Sequence, residues 1–233
     1  MLALLVATAL ALPPEAPRFL VFTKTTVFRH DSIPTAKRCM LDIAKKQGWS
    51  VTFTEDASWF SPHNLASFDG VVFALTTGDV LNDAQQNAMQ AFIENGGGYL
   101  GIHAAADTEY DWPFYGKLVG AWFRSHPAIA EATVHVEDRK HPATNFLPET
   151  WKRRDEWYDY KSNPRGKVRV LATIDEKTYT GGLMGADHPI MWCQEIGKGR
   201  SFYTGFGHTS ETYADELVVK MLTEALRWSV RAK

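Results

Sequence analysis

The chain has 233 residues, of which 45% are hydrophobic and 22% charged, and its formal net charge is -2. That balance leaves no basic surplus to neutralise phosphates, so nucleic acid is not expected as a partner. Two cysteines, Cys39 and Cys193, make neither a CxxC pair nor a multi-cysteine framework, which argues against a disulfide scaffold or a thiolate zinc site and leaves the eight histidines as the candidate ligands.

MLALLVATALALPPEAP opens the chain. Its apolar run, Leu2 to Leu12, is too short to span a bilayer and long enough for the hydrophobic region of an export signal. Ala9-Leu10-Ala11 resembles a small-x-small cleavage site, although no positive residues precede the run. Residues 1–16 are therefore expected to be a signal-peptide remnant, giving a periplasmic or secreted protein with no membrane span once mature. The alternative is a core strand of a cytoplasmic protein. Residues 17–233 are expected to form a single domain.

Apolar runs of strand length then alternate with helical patterns, the signature of βα units around a parallel sheet buried on both faces. RFLVFTK (18–24) is the first predicted strand. A helix follows from Ser32 to Gly48, with Ala36, Met40, Ile43 and Ala44 on one face. SVTFTED (50–56) and FDGVVFALTT (68–77) are the next strands. Asn82, with Gln85 three residues on, predicts a capped helix running to Asn95. Glycines 96–98 lead into YLGIHAA. From Ala130 to Tyr203 the texture changes: EATVHVED, KVRVLATID, PIMWCQEIG and GRSFYTGFG read as antiparallel additions, with Gly197-Lys198-Gly199 as a hairpin turn. Glu211 to Val230 predicts a long closing helix.

In open α/β sheets, ligands bind beyond the carboxyl ends of the strands, where loops and helix N-termini converge. Four segments carry polar groups there: Arg29, His30 and Asp31 after the first strand; Thr76, Thr77 and Asp79 after the third; His103 and Asp107 after the fourth; His208 and Glu211 after the last. His103 can be a core histidine bonded to carbonyls or, at a strand-to-turn elbow, a functional group facing the crevice. FRSHP (123–127) and DEWYDY (155–160) add His126, Glu156 and Tyr158 from segments that the pattern does not place. If 155–160 is a strand, Glu156 and Tyr158 share a face. His63, His135 and His141 read as structural or exposed, and His188, before Pro189, as a supporting group. Trp112, Tyr115, Trp122, Trp157 and Tyr158 read mainly as core, with those near the polar edge able to stack on sugar rings.

GGGYLGIHAAADTEYDWPFYGKLVGAWFRSHP, HPATNFLPETWKRRDEWYDY and HPIMWCQEIGKGRSFYTGFGHTSETYADE, in that order, resemble the ThuA-like, or trehalose-utilization, family from about Arg18 to Trp228. The resemblance implies a class I glutamine amidotransferase-like fold: a flavodoxin-like three-layer α/β sandwich with a mainly parallel sheet and added antiparallel strands. It also implies a link to bacterial disaccharide catabolism and 3-keto-sugar processing. Glutamine-hydrolysing relatives carry an elbow resembling G-x-C-x-G, whereas this chain has Gly101-Ile102-His103-Ala104-Ala105. His208 falls where their catalytic histidine would stand. Without an elbow thiol, a glutaminase or protease is disfavoured.

The expected function is therefore carbohydrate catabolism by hydrolysis, lysis or isomerisation of a disaccharide or keto-sugar. His103, His126, Glu156 and His208 are the expected catalytic set, with Arg29, His30, Asp107, Tyr158 and Arg200 binding substrate and Asp107 orienting His103. The four catalytic groups can alternatively hold a divalent metal such as zinc, although no HExxH spacing is present. The competing reading is a non-catalytic sugar-binding or regulatory module. Either can form a homo-oligomer, and the only partner implied is a small-molecule carbohydrate.

Overall fold

A computed structural model describes residues 16–230; residues 1–15 of the predicted signal segment lie outside the described residues. The first half is built of β1 (Arg18–Phe22), α1 (Ile33–Gln47), β2 (Ser50–Thr54), α2 (Pro62–Leu65), β3 (Gly70–Ala74), α3 (Asp83–Glu94) and β4 (Gly98–Ile102). There follow α4 (Pro113–Val119), β5 (Phe123–Ser125), β6 (Ala130–Val136), β7 (Thr150–Asp155), β8 (Asp159–Tyr160), β9 (Arg169–Asp175), β10 (Pro189–Ile196), β11 (Gly199–Thr204) and α5 (Glu216–Ser229). Among the described residues no helix is long and apolar enough to cross a membrane.

One sheet of nine strands runs in the order β2-β1-β3-β4-β11-β10-β9-β6-β7. The first five are mutually parallel, in the flavodoxin-like order, and the remaining pairings are antiparallel. GRSFYTGFG is thus more than an addition: β11 pairs antiparallel with β10 but parallel with β4, which makes it the fifth core strand. Gly197 and Lys198 turn the β10–β11 hairpin, and Gly197 takes φ +59°, the left-handed conformation such a two-residue turn requires.

The layers follow from side-chain alternation on β4. A Cβ at Gly98 would stand 2.8 Å from the Ser229 carbonyl oxygen, so glycine there lets α5 approach one face. Tyr99 points to the other face and meets Tyr115 of α4, hydroxyl to hydroxyl at 2.9 Å. On the first face α1 lies beside α5. The predicted capping box of α3 is present, Asn82 accepting from the Gln85 N–H and Gln85 from the Asn82 N–H. The closing helix begins later than its apolar pattern suggests. Asp215 accepts from the Leu217 and Val218 N–H groups and starts α5, leaving Ser210–Ala214 as a 3-10 turn.

His141, between β6 and β7, is fully buried, and its Nδ1 accepts from the Ala143 N–H. Burial, helped by the Arg169 charge, lowers its pKa to about 4 against the opposing pull of Asp138. An unfolded histidine takes up its proton near 6.5, so this group withdraws stability as pH falls from about 6.5 through about 4. His141→Asn keeps an acceptor near the Nδ1 position and removes the titration. Its melting temperature is expected to fall less steeply than the wild type's between pH 7 and pH 4.5 in thermal unfolding; an equal slope contradicts the assignment.

Candidate active site

Loops after β1, β4, β7 and β11 meet at the C-terminal edge of the parallel strands. After β4, His103 adopts φ +49° and opens a 3-10 turn over His103–Asp107. That left-handed backbone is uncommon for a residue with a side chain, and it turns the imidazole out of the strand direction. Two contacts hold it: the Tyr203 hydroxyl donates to the His103 carbonyl at 2.9 Å, and Nδ1 lies 2.8 Å from the Gly205 carbonyl oxygen. A carbonyl can only accept, so Nδ1 carries a hydrogen and Nε2 is the nitrogen that offers a lone pair when the ring is neutral.

The loop after β11 is anchored by Asp155, at the end of β7 and almost wholly buried. Its carboxylate accepts from the Gly207 N–H (2.9 Å), the Thr209 N–H (3.2 Å) and the Thr212 hydroxyl (2.8 Å). His208 sits inside this clasp, and Glu156 follows Asp155 directly. The β1 loop is tied to the same place by Ser32, whose hydroxyl donates to the Gly207 carbonyl at 3.1 Å, and it delivers His30.

The result is a near-equilateral triangle of imidazoles. Ring centroids are 5.1 Å apart for His30–His103, 5.0 Å for His30–His208 and 5.3 Å for His103–His208. Glu156 Oε2 lies 3.4 Å from His103 Nε2 and 3.0 Å from His208 Nδ1. One ligand atom from each of His30, His103, His208 and Glu156 falls within 4.8 Å of all the others. His30 Nδ1, His103 Nε2 and His208 Nδ1 are nonetheless buried without an aligned hydrogen bond. Proximity without alignment is what these groups show when they face a common point rather than one another.

Electrostatics sharpen the same point. Burial, aided by repulsion from His103 and His208, lowers the His30 pKa to about 3, so this imidazole is neutral near pH 7. Burial alone would raise Glu156, but hydrogen bonding and charge from His103 and His208 outweigh it and bring the carboxyl to about 2. For His208 burial acts downward, and Glu156 more than reverses it, so its pKa lies above the ordinary value. Two lone-pair atoms facing each other repel, so the contact between His103 Nε2 and the Glu156 carboxylate is favourable when a proton or a metal cation lies between them. Three imidazoles and one carboxylate, with their unengaged atoms converging, form a donor set that, once deprotonated, suits a first-row divalent ion of the zinc kind. The residues therefore fit such a group.

Other expected site residues occupy distinct places. His126 is 42% exposed and stands at the mouth; its Nδ1 is 3.1 Å from Glu156 Oε1, the oxygen turned away from the triangle, so His30 and not His126 completes the converging set. Tyr158 lines the wall with its ring 4.1 Å from that of His103. Residues 155–160, which the sequence pattern did not place, are not one strand: β7 ends at Asp155, the chain breaks at 156–158, and β8 pairs with β5. Asp107 does not orient His103: it accepts from the Tyr110 hydroxyl at 2.5 Å, and the Gly205 carbonyl does the orienting. Burial raises the Asp107 carboxyl above its ordinary pKa. Arg29 turns outward to Glu55 at 2.8 Å. Arg200 is at the wrong end of the sheet, paired in register with Gly98 at the start of β4, where its guanidinium meets Glu195 and the Trp228 carbonyl.

Asp159, Glu176 and His188 also cluster, but their polar atoms are engaged within the protein. Glu176 accepts from the Met184 and Gly185 N–H groups, Asp159 from the Leu183 N–H, and His188 Nε2 meets the Tyr158 carbonyl at 2.9 Å. This network supports the backbone of Tyr158. A cavity of about 670 Å³ at the opposite end of the sheet is lined mostly by apolar residues, Phe68 and Phe92 among them. Both cysteines are buried, and burial pushes each thiol up to about 12, which removes a thiolate from consideration.

Sequence reasoning missed two residues of consequence. Asp155 was legible only as half of an acidic pair at a strand end. Glu109, at φ +54° and buried, accepts from the Val80 and Leu81 N–H groups and fastens the β3 loop; nothing in its sequence context marks it.

No curated protein matches the chain. Among solved structures it is similar to a ThuA-like protein from Bacteroides uniformis (25% identity, TM-score 0.78, covering 95% of each chain). It is also similar to one from Parabacteroides merdae (21% identity, TM-score 0.74, covering 94% of this chain and 93% of that one). A protein from Salmonella typhimurium described as cytoplasmic shares the fold at 11% identity and TM-score 0.63, over 93% of this chain and all of its own. The family model ThuA, described as trehalose utilisation, matches residues 18–229. The chain belongs to the ThuA family, and membership places it in carbohydrate metabolism.

Proposed function

We propose that the chain is an enzyme acting on a disaccharide or keto-sugar by hydrolysis, lysis or isomerisation, at a mononuclear divalent-metal centre held by His30, His103, His208 and Glu156. The observation that carries this reading is the convergence of three unengaged imidazole nitrogens on one ionised carboxylate at the sheet's C-terminal edge. A bound divalent ion supplies a Lewis acid for a sugar carbonyl or hydroxyl. The chain's own groups do the rest. His103 is locked in the tautomer that presents Nε2. Glu156 spans the site, with one oxygen inward and the other against His126, whose exposed ring is placed to pass a proton between crevice and solvent. Tyr158 shields the inner wall from water.

Product analysis with trehalose, sucrose and their 3-keto forms, run with and without a chelator, tests the reading. Turnover of at least one of them, lost on metal removal and restored by zinc or a neighbouring divalent ion, is the expected result. Turnover indifferent to the chelator leaves only metal-free acid–base chemistry, and binding without any product favours a non-catalytic sugar-binding module.

A further inference from the structure

We infer that Phe28, with Val27 beside it, is the platform on which the pyranose ring of the substrate rests; this rests on the reading above and specifies how that site takes a sugar. Val27 is 74% and Phe28 56% exposed, whereas Leu41 and Leu183, the other exposed large apolar residues among those described, stand singly. A scattered exposed leucine is ordinary, but two adjacent apolar residues on the rim of a polar crevice are not.

Their exposure is built into the loop. The Thr26 N–H donates to the Thr77 carbonyl at 2.9 Å, and the Thr77 hydroxyl donates to the Phe28 carbonyl at 2.7 Å. Thr25 bridges Thr77 as in a parallel ladder. A Cβ at Gly78 would meet Thr26 Oγ1 at 2.2 Å and Val27 Cγ2 at 2.7 Å, so glycine is what lets the two loops close. A backbone bond from Thr26 and a side-chain bond from Thr77 thus hold Phe28 out of the core.

The place it is held is beside the chemistry. The Phe28 ring meets the His30 ring edge-on with centroids 4.8 Å apart, and His30 belongs to the converging set. A pyranose presents a face of C–H groups, weakly positive, and an edge of hydroxyls. An aromatic ring offers a negative face to the first, while the histidine cluster and His126 offer partners to the second. An apolar shelf next to a polar cluster is the complement of that ligand.

Calorimetry on the full, untagged chain with trehalose, sucrose and their 3-keto forms tests this, comparing wild type with Phe28→Ala and Phe28→Trp. The alanine variant is expected to bind about tenfold more weakly and the tryptophan variant within about threefold of wild type. Both should keep the wild-type melting temperature and zinc titration, because Phe28 is neither core nor ligand. Equal sugar binding by Phe28→Ala overturns the platform and leaves the site's reading intact. Failure of the wild type to bind any of the four sugars overturns the reading itself, and the platform with it. Unchanged sugar binding accompanied by a loss of self-association in Phe28→Ala reassigns the pair to a contact between copies of the chain, and also overturns the platform.

Discussion

Replacing His103 by alanine is expected to abolish turnover and ion binding together. The imidazole presents its only free nitrogen to the centre because Nδ1 is committed to the Gly205 carbonyl, so no rotation of a neighbouring ring can substitute for it. Losing one of three imidazoles from a four-donor set removes the ion at ordinary concentrations. The loss in kcat/KM is expected to be about 10³-fold or more, roughly 4 kcal/mol of transition-state stabilisation. Circular dichroism should remain native, because alanine keeps the same Cβ at φ +49° and removes only the ring's own contacts. Metal analysis and product assays on the same sample read both effects. Full turnover in the variant removes His103 from the chemistry.

Asp155→Ala is expected to give the largest stability loss of any substitution outside the hydrophobic core. The carboxylate is 1% exposed and accepts from the Gly207 and Thr209 N–H groups, the Thr212 hydroxyl and the N–H of Glu156. Alanine leaves these donors facing a void that offers no acceptor. The cost is about 3 kcal/mol or more, which lowers the melting temperature by roughly 6–12 °C for a chain of this size. Asp155→Asn, which retains one acceptor oxygen, should lie between. Because the same donors fix the segment carrying His208, ion affinity should fall with stability in both variants. Loss of less than about 1 kcal/mol in denaturant unfolding contradicts the clasp.

The sheet was legible because its strands are short apolar runs bounded by glycine and polar turns, and because Asn82 and Gln85 spell a capping box. Placement at strand ends made His30, His103 and His208 readable as a group, since topology alone sends those three loops to one edge. What the pattern did not contain was side-chain direction. Arg200 follows a glycine at the start of β11, and a residue at the start of a parallel strand lies at the far edge from the site however polar it is. His30 rather than His126 stands in the converging set because the tether of the β1 loop, Ser32 to Gly207, joins residues 175 positions apart. The break at 156–158 is likewise set by a distant pairing, β8 with β5, across intervening chain. Asp107 lost its expected partner to Tyr110, three residues away, a local contact that proximity favoured over a more distant ring.

In the function proposed above, His30, His103, His208 and Glu156 face one point and hold a divalent ion there. X-ray absorption at the zinc edge, on untagged protein loaded with one equivalent, tests it most directly. The expected spectrum is a shell of nitrogen and oxygen donors at about 2.0–2.1 Å with imidazole scattering and no sulfur, with loss of part of the imidazole signal in His30→Ala. A spectrum of fully hydrated zinc, or one unchanged by removal of His30, contradicts it.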